Sequence, residues 1–213
     1  MRKDLYIIGA GGFGREVLLI AREIEPHQAE WRIKGFLNSE RYMDALDGID
    51  TGGYTICESI EEHEVTDNNV YVIAIVDVNA KEKLCSDFIS RGAQFINLIH
   101  PTAYVANTAI VGKGLILAMY STISANTEVG DFVTLNAHVQ IGHDVVIGDY
   151  CTIGPRSSVL GHGILQHKVT LGGGVIIHPH IKVGENATVG IGSVVISKVK
   201  AGTAVFGNPA TRI

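Results

Sequence analysis

From Ile99 to Val195 every sixth residue is valine, isoleucine or leucine: Ile99, Val105, Val111, Leu117, Ile123, Val129, Leu135, Ile141, Ile147, Ile153, Val159, Leu165, Leu171, Ile177, Val183, Val189 and Val195, 17 stations without a miss. A period of six is neither the 3.6 of a helix nor the two of a simple strand. It is the hexapeptide repeat of a parallel β-helix, in which very short strands stack coil upon coil. Three hexads close one triangular coil, so residues 18 apart share a face, and the run predicts about five to six coils.

The rest of each hexad fits a prism. The fourth residue past a station is mostly small or β-branched (Ala109, Ser121, Thr127, Val133, Val139, Val145, Cys151, Ser157, Val169, Val175, Ala187, Ser193) and suits a narrow interior beside the aliphatic station. The two positions between carry Asp, His, Asn, Lys and Glu and are predicted to face water. Glycine follows the station at Gly112, Gly130, Gly142, Gly148, Gly154, Gly172, Gly184 and Gly190. It is read here as the residue that takes the sharp backbone turn at a prism edge.

The first half is of another kind. An apolar strand over Leu5–Ile8 meets the glycine turn Gly9–Gly14, then Arg15–Glu25 has helical periodicity and stops at Pro26. Arg32–Leu37 and the wholly apolar Val70–Val76 read as strands, Asn79–Gly92 as a helix with a glycine stop, and Gln94–Ile99 as a last strand. Strands alternating with helices imply a small Rossmann-like parallel α/β sheet. The division is therefore 1–96 for this α/β domain and 97–213 for the prism.

Gly9, Gly11 and Gly14 match G-x-G-x-x-G, a turn whose amides and helix N-terminus hold phosphate. A dinucleotide site also wants an acidic residue at the tip of the second strand. That tip is Asn38, with Glu40 two residues on, and the unit is half a dinucleotide fold. A nucleoside diphosphate fits better than a dinucleotide.

A net charge of −5 without any lysine or arginine run argues against nucleic acid as a partner. No stretch is long enough to span a membrane. Cys57, Cys85 and Cys151 lack metal-ligand or disulfide spacing and read as reduced thiols of a cytoplasmic protein. Cys151 falls on an inward position, so a buried core thiol is expected there rather than a nucleophile.

The segments YIIGAGGFGRE (Tyr6–Glu16), FINLIHPTAYV (Phe95–Val105), NAHVQIGHDVVIGD (Asn136–Asp149) and FGNPATRI (Phe206–Ile213) together resemble one family. It is the NeuD/PglD-like group of bacterial sugar acetyltransferases, which includes sialic-acid O-acetyltransferases and bacillosamine-pathway N-acetyltransferases. The resemblance implies a left-handed prism, a homotrimer, acetyl-CoA in the groove between prisms, and a nucleotide-linked amino sugar on the N-terminal domain. It implies His143 as base with Asp144 beside it. It places the nucleotide sugar at Gly11, Gly12, Phe13, Asn38, Ser39, Val76 and Asp77, and the coenzyme at Thr152, Gly161, Gly173 and Ile191. Relatives often have histidine where Phe13 stands, an acidic pair at Asn38-Ser39, and glycine-asparagine at Val76-Asp77.

Acyl transfer from a thioester needs a base for the acceptor's proton and donors for the oxyanion. Histidine suits the first task because it titrates near neutrality. His143 lies two residues past station Ile141, on an outward position. Asp144 can fix its tautomer, yet Asp144, His162 and His180 are each 18 apart, so Asp144 can instead meet His162. The expected activity is transfer of acetyl to the amino group of a nucleotide-linked deoxy sugar, directly and with no metal. The alternatives are sugar O-acetylation and a non-enzymatic nucleotide-sugar-binding trimer. A zinc site of the prism hydratase type would use His138 and His143, but the third ligand position is Thr102.

Overall fold

The structure is a computed structural model that describes residues 2–28 and 30–213. Contacts divide the chain into two compact units that meet between Leu98 and Ile99.

The first unit is a four-stranded parallel sheet of β1 (Lys3–Ile8), β2 (Trp31–Asn38), β3 (Ile56–Ser59) and β4 (Asn69–Ile73), in the order β3-β2-β1-β4. Helix α1 (Gly12–Ile24) follows β1 and α2 (Val78–Ser90) follows β4. The chain order reverses between β1 and β4, and in open parallel sheets ligands bind beyond the strand ends at such a point. β3 is absent from the sequence reading: it is a four-residue edge strand with Glu58 in its middle, too short and too polar to show periodicity. β4 ends at Ile73 rather than Val76, and of the strand expected over 94–99 a bridge from Phe95 to Tyr71 and the two-residue strand Leu98–Ile99 form. His63 is buried and ties this core together: its Nδ1 lies 2.7 Å from Glu58 Oε2 and its Nε2 2.9 Å from the Tyr71 hydroxyl.

In the second unit two-residue strands recur every six residues from Tyr104–Val105 to Val194–Val195, each pairing in parallel with the strand 18 residues away, as in Thr134↔Thr152 and Gln140↔Ser158. Three faces result. The first carries stations Leu117, Leu135, Ile153, Leu171 and Val189, the second Ile123, Ile141, Val159 and Ile177, the third Val129, Ile147, Leu165 and Val183. The stations and the fourth residues past them fill the interior. Inward hydroxyls are satisfied by the next coil: Ser121, Thr127 and Ser157 donate to the carbonyls of Asn136, Gly142 and Gly172 at 2.7–2.8 Å. The Cys151 thiol is buried and donates to the Gln166 carbonyl in the same manner. Ala204–Gly207 extends the first face and turns back antiparallel into Ala210–Arg212, so the last coil ends in a hairpin.

The glycines after the stations serve a different purpose from the one expected. None of them has positive φ. The turn is made two residues later, at the third residue past the station, where Tyr120, Asn126, Phe132, His138, Asp144, Tyr150, Arg156, His162, Lys168, His180 and Asn186 have φ between 54° and 63°. Left-handed backbone costs a non-glycine residue about 1–2 kcal/mol. It is offset here because the conformation aims the amide at the preceding coil, as when Asp144 N–H donates to Ala125 (3.0 Å) and His162 N–H to His143 (3.1 Å). The glycines are needed because coils approach too closely for a side chain. A Cβ on Gly154 would stand 2.6 Å from backbone atoms of Gly172 and Gly173, and one on Gly142 2.9 Å from the Gly161 nitrogen.

This distinction is testable. Gly154→Ala forces two backbones apart and is expected to destabilise by about 2 kcal/mol or more, whereas Arg156→Gly, at an exposed left-handed corner, changes stability by less than about 1 kcal/mol. Denaturant unfolding of both variants checks the ranking; equal losses would contradict it.

Candidate active site

The corner between the second and third faces collects the candidate chemistry. Its left-handed positions are Asn126, Asp144, His162 and His180, and His143 sits just before Asp144. His143 points outward, with 60% of its side chain exposed, and its Nδ1 lies 2.7 Å from Asp144 Oδ2. Asp144 Oδ1 accepts from the Asn126 amide at 3.3 Å. His162 Nε2 stands 3.9 Å from the same Asp144 Oδ2, so the carboxylate is hydrogen-bonded to His143 and faces His162 at ion-pair range only. The His143 and His162 rings meet edge to face at 5.2 Å, and His162 stacks in parallel on His180 at 4.7 Å. His143, Asp144 and His162 each offer a donor atom within 4.8 Å of the others.

Gly161 underlies the imidazole. It occupies the hexad position of His143 one coil on, and a Cβ there would lie 2.7 Å from both Cε1 and Nε2 of His143. Only glycine lets the ring lie flat along the corner. The other expected coenzyme positions are elsewhere: Thr152 is in a first-face strand, and Gly173 and the 70%-exposed Ile191 follow first-face stations. The prism therefore brings His143, Asp144 and Gly161 together, and holds Gly173 and Ile191 one hexad around the coil from them, on the order of 20 Å along the chain, with Thr152 half a hexad farther. His138 is likewise on the first corner, stacked on Tyr120 at 5.1 Å, so a five-residue spacing does not make it a partner of His143. His100 is buried and bonded to Thr102.

In the first unit, Gly9 has φ 103°, and a Cβ on it would stand 2.7 Å from Ile75 Cδ1. Gly11 is the N-cap of α1, has no neighbour within 4 Å of an added Cβ, and opens onto a first turn with no acidic residue. Gly12 and Phe13 form that turn, where backbone amides lack an intrahelical acceptor and suit phosphate. Gly12 also borders a cavity of about 580 Å³ lined by Arg15, Glu16, Leu19, Arg22 and Gly52. Asn38 ends β2, its amide donating to the Tyr42 carbonyl at 2.7 Å. Ser39 donates to Glu61 Oε1 at 3.0 Å and the Glu40 amide to Oε2 at 3.2 Å. Val76 is exposed, while Asp77 caps α2 by accepting from Asn79 and Ala80 amides.

Comparison with known proteins follows this division. Residues 4–88 match the PglD N-terminal domain, and 126–161 match the bacterial transferase hexapeptide (six repeats). The solved structure of WeeI from Acinetobacter baumannii is 28% identical, with a TM-score of 0.87 over 99% of this chain and 100% of that one. PerB from Caulobacter crescentus, solved in complex with CoA and GDP-perosamine, has a TM-score of 0.86 at 23% identity, over 99% and 97% of the two chains. In both units the chain is similar to the NeuD/PglD-like group. Among curated proteins, GDP-perosamine N-acetyltransferase of Escherichia coli O157:H7 is 27% identical over 152 residues, 66% of this chain and 63% of that protein, just under two thirds of its length.

Several residues of this NeuD/PglD-like chain escaped the sequence reading. Arg15 and Arg22 are seven apart on one face of α1, a spacing that was open to notice. Glu61 was not: it reaches the tip of β2 only because β3 places it there, and it supplies a carboxylate where Asn38 and Ser39 lack one. Burial raises the Glu61 carboxyl and is the largest single influence, but hydrogen bonds from its own backbone amide, the Ser39 hydroxyl and the Glu40 amide, with Arg41 nearby, together outweigh it and hold the carboxyl below its ordinary range.

The Asp144 carboxyl is held below the ordinary range first by the His143 hydrogen bond, then by Asn126 and the nearby His162. A carboxyl depressed in the folded state contributes stability above its unfolded value, near pH 4, that is lost as pH falls through the folded value. In His143→Ala the Asp144 titration, followed by carboxyl-carbon NMR, is expected to move up toward pH 4; an unmoved titration would show that His143 does not hold this carboxylate.

Proposed function

We propose that the protein transfers acetyl from acetyl-CoA to the amino group of a nucleotide-linked amino-deoxy sugar, with His143 as general base. The observation that carries this reading is the 2.7 Å contact between His143 Nδ1 and Asp144. The carboxylate accepts the Nδ1 proton, which leaves the Nε2 lone pair as the basic site, and Nε2 is the atom beside Gly161. The acceptor nitrogen attacks the thioester carbonyl as Nε2 takes its proton. Asp144 stabilises the imidazolium so formed. The tetrahedral oxyanion collapses, the carbon–sulfur bond breaks, and the thiolate takes the proton from Nε2. With Cys151 buried and bonded to a carbonyl, no acyl-enzyme is needed.

CoA and acetyl-CoA are coenzymes of the PerB and PglB acetyltransferase-domain structures that share this fold. The curated relative acts on an amino sugar carried by GDP, which favours N- over O-transfer and makes a GDP-sugar the first acceptor to test. The α1 N-terminus at Gly11, Gly12 and Phe13, with Arg15 beside it, suits the diphosphate. Asn38, Ser39 and Glu61 at the tip of β2 suit the nucleoside. We infer a homotrimer, because the prism separates His143 and Gly161 from Thr152, Gly173 and Ile191 by a full hexad or more. A thioester lying along the first corner reaches His143 only if a second copy's corner supplies one half of the site. We place the protein in the cytoplasm, where acetyl-CoA and nucleotide sugars are made; no helix among the described residues is long and apolar enough to cross a membrane.

Thiol release from acetyl-CoA with GDP-, UDP- and dTDP-linked amino sugars tests the activity. One acceptor is expected to support turnover, and His143→Ala to lower kcat by about 10²–10⁴-fold with KM little changed. No thiol release with any acceptor would favour a binding role for the chain.

A further inference from the structure

His162 and His180 lie outside the proposed reaction, yet they continue the His143 corner coil by coil. We propose that His162 is a positioning residue that shares the Asp144 carboxylate with His143 and thereby extends the working range of the base to lower pH. The inference rests on the reading of His143 as the base.

The geometry is unusual in one respect: two imidazoles address the same carboxylate oxygen. His143 Nδ1 reaches Asp144 Oδ2 at 2.7 Å and His162 Nε2 reaches it at 3.9 Å. The rings are 5.2 Å apart, edge to face, so that neither shields the other from the carboxylate. His162 is fixed rather than free to swing away. Its backbone is pinned in the left-handed turn by its amide bond to the His143 carbonyl, and its ring stacks on His180 at 4.7 Å with planes 7° apart. The charged or titratable groups facing His162 are His143 and Asp144 from the preceding coil and His180 from the following one. Its own neighbours, Gly161 and Gly163, carry no side chain.

Histidine side chains charge between about pH 5 and 8. A charged His162 opposes charging of His143 in two ways that have the same sign. It repels the imidazolium, and it draws on the one carboxylate that would stabilise it. A base must be unprotonated to act, so activity persists to lower pH than it would with His143 and Asp144 alone. When His162 is neutral the effect vanishes, so the alkaline side of the profile is untouched.

The test is the pH dependence of kcat/KM for wild type and His162→Asn, which reports the free enzyme. Asparagine keeps the left-handed corner and removes the titrating group. The acid-side midpoint is expected to rise by about half a pH unit, the size of two unit charges about 5 Å apart in a water-like medium, and the difference is expected to shrink in 1 M NaCl, where the screening length is about 3 Å. The His143 Cε1–H NMR titration is expected to show the same upward displacement even if turnover is impaired. An unmoved or lowered midpoint by both measurements overturns the role of His162. His143→Ala run alongside separates the two claims: if it retains activity, the base assignment fails whatever His162 does.

Discussion

Backbone pairing between coils 18 residues apart is the constraint from which the second unit follows. Each coil donates amides to its neighbour along the strands and again at the corners, where left-handed residues turn their N–H groups onto the coil before. That pairing draws the coils so near that Gly142, Gly154 and Gly172 have no room for a side chain. It also makes position arithmetical: a side chain's face and corner are set by its place in the hexad, and its neighbours are the residues 18 before and after.

The candidate site uses this arithmetic. His143, Asp144 and His162 stand together because 143 precedes a corner residue and 144 and 162 share one corner, with no loop needed to bring them in. A rigid lattice suits a reaction in which the protein supplies mainly orientation and one proton acceptor. Gly161 shows how tight the arrangement is, since the imidazole lies where its side chain would be. The same lattice keeps the first corner, with Gly173 and Ile191, away from His143, so the residues expected for the coenzyme and the expected base stand on different edges of one prism.

Much of this was legible in the sequence, for a physical reason. The interior of a prism admits one aliphatic and one small residue per hexad, so stations such as Ile141 and Val159 and fillers such as Val145 and Cys151 announce themselves. The outward positions are under no such constraint. Periodicity placed His143 on a corner, but only the likeness of the IGHD segment to known acetyltransferases gave it a role. The choice between His143 and His162 as partner of Asp144 needed distances. The glycines were seen and misread, because sequence alone does not tell a positive φ from a close approach. In the first unit, Leu5–Ile8 and the Gly9–Gly14 turn were clear because a buried central strand is wholly apolar. β3 was not, being a short edge strand, and so the arrival of Glu61 beside Ser39 was hidden as well.

The proposed transfer depends on where a thioester lies relative to the second corner. A crystal structure with bound CoA tests it most directly. The sulfur is expected about 3.5 Å from His143 Nε2, with the pantetheine arm running between that corner and the first corner of a neighbouring copy. A sulfur seated against His138 on the first corner, with His143 open to bulk water, would contradict it.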